Sequence, residues 1–458
     1  MKKDFSSLFG KASIDVATHI NKKERKSRVY SDVLKSELTK NLNDARSQNF
    51  GFEDFDDYIS EANVDIGDAM PVLYSDIKAI MRDIFNKQTA LNEKIGCHPD
   101  FIHLEKSQDL ENGYTVTMFF DIAGSTKLGK TYPPEIVFNI KNTIIKYVIE
   151  IIQAFDGHVH RIMGDAVMAF FRSSHKATVG REMDSGIDAI NAGTYILEFM
   201  KQVVTPVLGD AGAEKPIGVR IGIDYAEEEQ IVWGNYGASG AFEVTATSYY
   251  VDVAAKLQQA AETNKIMIGE SLKKLLGLGN EYLSTPQKSK FDESGNEIIQ
   301  RYPYVKPNYS VRGESVNYRQ YVFDNKEYFK FIPYGLSGDK IHVVLHTEKD
   351  GKNKTYSCPC SESLEKGMSL KFYVTYNAPL EQTYKVVSEK KNTGPHAEEN
   401  NATDPVRKSA YMSYQGGKYV AYIEESTSYH GLHHMKIKIE NEQNIIVDET
   451  IFSLYILK

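Results

Sequence analysis

Two aspartates carry the chemistry worth testing first. Asp121 follows the apolar run Val116-Thr-Met-Phe-Phe120 and opens Asp121-Ile-Ala-Gly-Ser-Thr126. Asp165 closes Gly157-His-Val-His-Arg-Ile-Met-Gly-Asp165 and precedes Ala166-Val-Met-Ala-Phe-Phe171. Two carboxylates at strand ends, each beside a tight glycine turn, suit hard divalent cations such as Mg²⁺ or Mn²⁺. One such ion can lower the pKa of an attacking hydroxyl, and a second can hold a triphosphate and its leaving oxygens. Taken singly, each aspartate reads more readily as a helix cap or a turn residue. The pairing is what points to ligation. Gly124, Ser125 and Thr126 then fall at a helix N-terminus, where backbone N–H groups can meet phosphate oxygens.

The elements that must position these groups follow from the hydrophobic pattern. Residues 114–120 have the length and the β-branched and aromatic content of a strand. Pro133-Pro134 stands where a helix should start, and helical spacing continues over residues 136–155. Two short strands, 159–161 and 167–171, flank Asp165. A helix is expected over 183–204, ended by Pro206 and Gly209. Residues 217–223 form a clean strand, and 230–233 a further candidate. A helix over 249–262, a strand over 265–268 and a helix over 270–276 complete the pattern. The order β-α-β-β-α-β with an appended β-α predicts an α+β, ferredoxin-like core, with helices covering one face of a mostly antiparallel sheet. Residues 278–317 read as a long loop, and 318–323 as a returning strand that closes the domain.

Composition bounds the rest. A chain of 458 residues is expected to hold two or three domains. Its net charge of −8 weighs against a general nucleic-acid binder, so no nucleic acid is expected as a partner. Three cysteines, Cys97, Cys358 and Cys360, make no disulfide framework and suit a reducing, cytoplasmic setting. Cys358-Pro-Cys360 lacks a second Cys/His pair, so two thiols in a strand or turn is the better reading than zinc. Met1-Lys-Lys-Asp-Phe-Ser-Ser lacks the apolar core of a signal peptide, and no apolar run reaches the roughly 18 residues of a membrane span.

Three regions are expected. Residues 1–100 form a helical N-terminal segment. Lys22, Lys23, Arg25, Lys26 and Arg28 there read as a solvated face. Val72, Ile77, Ile80, Met81 and Ile84 make one apolar stripe, which suits packing on the core or on a partner chain. Residues 101–325 hold the paired aspartates. Residues 326–458 change character: short, partly alternating strands without helices predict a β-sandwich.

Several motifs together resemble a known family. Phe120-Asp-Ile-Ala-Gly-Ser-Thr126 and Met163-Gly-Asp-Ala-Val-Met-Ala-Phe170 resemble the two metal motifs of class III nucleotide cyclases. Arg220-Ile-Gly-Ile223 is similar to the family's next strand, and Tyr250-Val-Asp-Val-Ala-Ala-Lys-Leu257 to its helix motif. The likeness runs in order from about residue 112 to 270. It implies cyclisation of a nucleoside triphosphate to a 3′,5′-cyclic monophosphate plus pyrophosphate. It also implies a head-to-tail homodimer with interface active sites, each holding two divalent ions, Mg²⁺ or Mn²⁺. Asp121, Ile122 and Asp165 would be the metal positions. Asp252 stands where the family has a ribose-orienting Asn, and Lys256 where it has a transition-state Arg. Lys supplies a point charge but no bidentate fork. Four apart on a helix, the two also read as a surface ion pair.

The same resemblance points to base choice. The selecting position, three residues before Gly164, holds Arg161, where ATP-using relatives carry Lys and GTP-using ones Glu. The second selector, seven residues before Asp252, is Thr245. An Arg fork presents only donors. It matches O2 and N3 of cytosine, or O2 and O4 of uracil, and the paired acceptors of cytosine favour CTP. Arg161 also reads as a hairpin cap or as a partner of Asp165. Arg at this position is similar to the pyrimidine cyclases of Pycsar antiphage defence. That likeness implies a cyclic CMP or cyclic UMP second messenger read by a separate effector protein. In the implied dimer, Asp121 and Asp165 serve one site while Arg161 and Thr245 serve the other.

The C-terminal region resembles the sensor domain that follows adenylyl/guanylyl cyclase and SMODS domains. Tyr384-Lys-Val-Val-Ser-Glu-Lys-Lys-Asn-Thr-Gly394 and Tyr429-His-Gly-Leu-His433 carry that likeness. His430, His433 and His434 read as a polar strand-end cluster rather than a metal site. Two rival functions stay open on sequence grounds: an adenylate or guanylate cyclase, and an inactive nucleotide-binding sensor, which Asp252 and Lys256 would permit.

Overall fold

The computed structural model describes residues 5–21, 77–87, 94–172, 179–210, 217–238, 240–291, 296–306, 309–311, 314–333 and 340–458. The basic cluster from Lys22 to Arg28, and Val72, lie outside the described residues. The described N-terminal helices pack on the main core. Ahead of α1 (Gly10–Asn21), Phe5 and Phe9 meet Tyr195 and Phe199. Helix α2 (Ile77–Ile84) buries Ile77 and Met81, while Ile80 stays 40% exposed. The apolar stripe therefore docks on its own chain.

The central domain starts with β1 (Thr115–Ala123), α3 (Ser125–Thr131) and α4 (Pro134–Ala154). It continues with β2 (Gly157–Met163), β3 (Ala166–Phe171), α5 (Arg181–Phe199) and β4 (Gly218–Ala226). A hairpin of β5 (Val232–Ala238) and β6 (Ala241–Thr247) precedes α6 (Tyr249–Ala260), β7 (Lys265–Gly269) and α7 (Glu270–Leu276). Further on lie β8 (Leu283–Ser284), β9 (Gln287–Phe291), β10 (Glu297–Arg301) and β11 (Gln320–Phe323). Seven strands form the main sheet in the order β2-β3-β1-β4-β7-β11-β8. Its β2-β3-β1-β4 part is antiparallel throughout and is the expected ferredoxin-like arrangement. Arg82 tethers α2 at the C-terminus of α4, donating to the carbonyls of Gln153 and Ala154, both at 3.4 Å. A cation there answers the exposed carbonyl ends of the helix.

Three expectations need correction. The helix after Gly180 does not stop at Pro206. It widens into a π-turn at Met200–Val204 and resumes as Thr205–Asp210. Thr205 N–H bonds Met200 O, five residues back. That shift in register accommodates a proline with no N–H of its own. Residues 278–317 are not one long loop. They hold β8, the β9–β10 hairpin and a small hairpin of Tyr309–Val311 with Glu314–Val316. Both faces of β9–β10 are exposed, so no apolar alternation marks it.

The third correction matters most for the site: the helices do not share one face. On β1, Val116, Met118, Phe120 and Ile122 point into the core built with α4 and α5. On β4, Val219, Ile221 and Ile223 do the same. Asp121, Arg220 and Gly222 therefore face the other way, and α6 lies there. A Cβ on Gly222 would collide with the backbone of Ala254 and Gln258. Only glycine lets helix and strand approach this closely.

The C-terminal domain is the expected β-sandwich. Its strands are β12 (Ile341–Lys349), β13 (Lys352–Tyr356), β14 (Ser363–Leu364), β15 (Ser369–Tyr376) and β16 (Lys385–Asn392). They continue as β17 (Val406–Tyr411), β18 (Ser413–Gln415), β19 (Lys418–Ser426), β20 (Gly431–Glu440) and β21 (Ile446–Ile456). The two sheets run β13-β12-β15-β19-β18 and β14-β21-β20-β16-β17. The sandwich docks on α5 and the end of α7. Asp184 on α5 accepts from the backbone N of Ser363 at 2.7 Å and from its hydroxyl at 2.6 Å. Asn191 Nδ2 donates to Cys360 O at 3.0 Å, and Asn191 Oδ1 accepts from the Tyr328 hydroxyl at 2.8 Å. Gly277, Gly394 and Gly431 meet so closely that none has room for a Cβ. The histidine cluster serves this junction. His434 stacks on Phe331 at 3.9 Å, and His430 lies between the carbonyls of Lys274 and Ile456.

Gly222→Ala should lower stability by about 1–3 kcal/mol through overpacking against α6. Chemical denaturation reads this directly, and an unchanged midpoint would contradict the packing described.

Candidate active site

Asp121 and Asp165 come together at one end of the sheet. Asp121 is near the end of β1, opposite Arg220 on β4 and Ala166 on β3. Asp165 sits in the turn between β2 and β3, where Gly164 takes φ +67°. Its carbonyl accepts from Ile122 N–H at 3.2 Å, which laces the turn to β1. The two aspartates are thus fixed by backbone pairing rather than by flexible loops.

Each carboxylate is engaged by a cation of the same chain. Arg220 Nε donates to Asp121 Oδ2 at 3.1 Å, and its terminal nitrogen approaches the same oxygen. Lys141 on α4 donates to Asp165 Oδ2 at 3.3 Å, and the Ser125 hydroxyl donates to the same atom. Partial burial pushes the Asp165 carboxyl up. The Ser125 hydroxyl and Lys141 together outweigh that and hold it below its ordinary value. Asp165 therefore stays ionised through the neutral range, as a metal ligand must.

The donor set fits hard cations: two carboxylates and nearby backbone carbonyls, all oxygen. Among the described residues, no group of three or more His, Cys, Asp and Glu side chains gathers around a common point. Mg²⁺ is commonly held by one or two carboxylates and completed by substrate phosphates and water. Two aspartates are enough for that mode.

Next to Arg220, the partner of Asp121, opens a cavity of about 540 Å³, lined in part by Ala123, Gly124, Glu262, Thr263 and Lys288; neither aspartate lines it. Its volume suits a small-molecule ligand of nucleotide size. Gly124 adopts φ +80° just before α3. Thr126 is exposed. Ser125 is buried, and its hydroxyl is committed to Asp165, so its side chain positions a carboxylate.

Base-side residues form a separate group. Arg161 on β2 does not pair with Asp165; it makes an ion pair with Glu243 on β6. Thr245 is two residues along the same strand and shares the half-buried face of Glu243. Val244 and Ala246 point the other way, into a cluster with Phe101 and Trp233. On α6, Asp252 is exposed and Lys256 half-buried. Neither they nor Arg161 and Thr245 line the cavity next to Arg220.

Several residues escaped the sequence reading. Arg220 was visible as part of a motif, but its pairing with Asp121 needed the register. Glu243 had a detectable signal, the alternation of Phe242-Glu-Val-Thr-Ala-Thr247. Lys141 and Lys288 had none, because each lies among other surface polar residues.

Fold and site together are those of a nucleotide cyclase catalytic domain joined to a C-terminal sensor-type sandwich. Residues 109–303 match the adenylate and guanylate cyclase catalytic domain. Residues 318–457 match the adenylyl/guanylyl and SMODS C-terminal sensor domain. The chain is 39% identical over 427 residues to a cytidylate cyclase of Escherichia coli, covering 89% of each protein. A second E. coli cytidylate cyclase is 32% identical, covering 82% of this chain and 86% of that protein. One from Staphylococcus aureus is 32% identical, with the same two coverages. The chain belongs to this cytidylate cyclase family, within the class III nucleotide cyclases.

Asp165→Asn should change stability by no more than about 1 kcal/mol, because its ion pair is partly exposed. It should nevertheless abolish cyclase turnover. Thermal melting beside an activity assay separates the two, and a collapse of the melting transition would make Asp165 structural.

Proposed function

We propose that the protein converts CTP into 3′,5′-cyclic CMP and pyrophosphate. The observation that carries the choice of CTP is the near full-length likeness to proteins named cytidylate cyclase. Arg161 at the base-selecting position supports it. In the reaction, the ribose 3′-oxygen bonds to the α-phosphorus, the hydroxyl proton is lost, and the bond to the β-phosphate oxygen breaks. Asp121 and Asp165, with the Ile122 carbonyl, would hold Mg²⁺ or Mn²⁺, which acidifies the hydroxyl and offsets the triphosphate charge. Arg220 engages Asp121, and Lys141 engages Asp165 and helps to hold it ionised, until substrate binds. Gly124 and Thr126 offer backbone N–H groups to the phosphates. Lys256 steadies the α-phosphate, Asp252 orients the ribose, and Arg161 and Thr245 read the base.

The working unit in this reading is a homodimer. Its support is that Arg161, four residues from Asp165 in the chain, pairs with Glu243 on β6 rather than with the aspartates. An inactive sensor is disfavoured because both carboxylates are kept and Asp165 is held ionised. The proposal extends to a cyclic nucleotide messenger in antiphage defence, read by a separate effector protein. The sensor-domain match supports a triggered enzyme of this kind. All three cysteines are free, which accords with a cytoplasmic setting. Among the described residues, no helix is long and apolar enough to cross a membrane.

Incubating the purified protein separately with ATP, GTP, CTP and UTP in the presence of Mn²⁺ should give cyclic CMP as the dominant product. Asp121→Ala should give none. A dominant cyclic AMP or cyclic GMP product would overturn the pyrimidine assignment.

A further inference from the structure

The Arg161–Glu243 pair is not a simple surface contact. The two side chains are 40% and 37% exposed, so a ligand can reach both. A pair this exposed adds little to stability. Behind it lies His160, which is buried. Its Nδ1 faces the Gly96 carbonyl at 2.9 Å and must donate the proton there. Burial, and secondarily the Arg161 charge, push its pKa down against that hydrogen bond, so the ring is neutral. Its Nε2 is then an acceptor. It lies 3.5 Å from Arg161 Nη2 and 3.7 Å from Glu243 Oε2. The guanidinium is thus braced between a carboxylate and a neutral imidazole. Its Nε has no hydrogen-bond partner among the described residues, leaving one donor unused.

We propose that Glu243 is a specificity-determining residue which, side by side with Arg161, reads the Watson–Crick edge of cytosine; this rests on the CTP-cyclising reading above. The pair presents an acceptor, from the carboxylate, next to donors from the guanidinium fork. Cytosine presents the complement in the same sequence: the N4 amino donor, then the N3 and O2 acceptors. A carboxylate accepting from cytosine N4 is an established direct contact in base recognition. Uracil places O4 against the carboxylate and N3–H against the guanidinium, so two of its three groups meet their own kind. Guanine reverses the whole pattern. Adenine matches at N6 and N1, but offers a C–H where cytosine has O2, and it is larger. Thr245, on the same face of β6, has a hydroxyl that both donates and accepts, so it adds no preference at this edge. Because Arg161 balances the Glu243 charge, the carboxylate does not add a net negative charge beside the incoming triphosphate.

The test is Glu243→Gln, which keeps the size but lets the amide present either a donor or an acceptor. Rates with CTP and UTP are measured on wild type and variant, and equilibrium dialysis gives the two dissociation constants independently of catalysis. The preference for CTP over UTP should fall at least about tenfold, the scale of one good base contact, with UTP held level or improved. If Glu243 only braces Arg161, CTP and UTP weaken in equal proportion and the inference is overturned. A wild-type enzyme that forms no cyclic CMP overturns the CTP reading and this inference together. Wild-type cyclic CMP synthesis with an unchanged variant ratio overturns this inference alone.

Discussion

Two carboxylates held at the end of one sheet repel each other, and the rest of the site depends on how that repulsion is contained. The chain supplies one cation to each: Arg220 to Asp121 across two strands, and Lys141 to Asp165 from α4. Backbone pairing through Ile122 and Asp165 prevents the two from drifting apart. Here the Ser125 hydroxyl and Lys141 keep Asp165 in its charged form. An incoming cation therefore meets Asp165 already ionised.

The same face of the sheet explains why α6 must lie where it does. Gly222 lets the helix settle on β4, and that contact brings Asp252 and Lys256 to the side of the sheet that carries Asp121. The C-terminal sandwich docks on the opposite side, through α5 and α7. The glycine contact of Gly277 with Gly394 and Gly431 makes that junction tight. Helix α5 lies between the sandwich and the sheet, through Asp184 and Asn191 on one side. Gly193 on α5 packs within van der Waals reach of Met118 on β1 and Ile223 on β4.

Much of this was legible in the sequence. An apolar run that breaks into Asp-x-x-Gly marks a strand end, and Asp165 beside Gly164 marks a hairpin tip. The helices expected over 249–262 and 270–276 match α6 and α7, which the structure caps with Ser248 and ends at Gly277. Other features were hidden for physical reasons. Helical spacing says which residues of α6 are buried, but not which side of the sheet buries them; Gly222 was the only hint. The β5–β6 hairpin carries Gly234, Gly237 and Gly240, and these turn signals interrupt the run ahead of the alternation over residues 242–247. Glu243 was missed with it. Arg161 was singled out, but its partner came from that unseen strand.

The most direct test is a crystal structure of the protein with Mn²⁺ and a CTP analogue lacking the attacking 3′-hydroxyl. The account predicts anomalous manganese density against Asp121 and Asp165, with the cytosine edge in hydrogen-bond contact with Arg161 and Glu243. Manganese bound away from both aspartates, or a base lying clear of that pair, would contradict it.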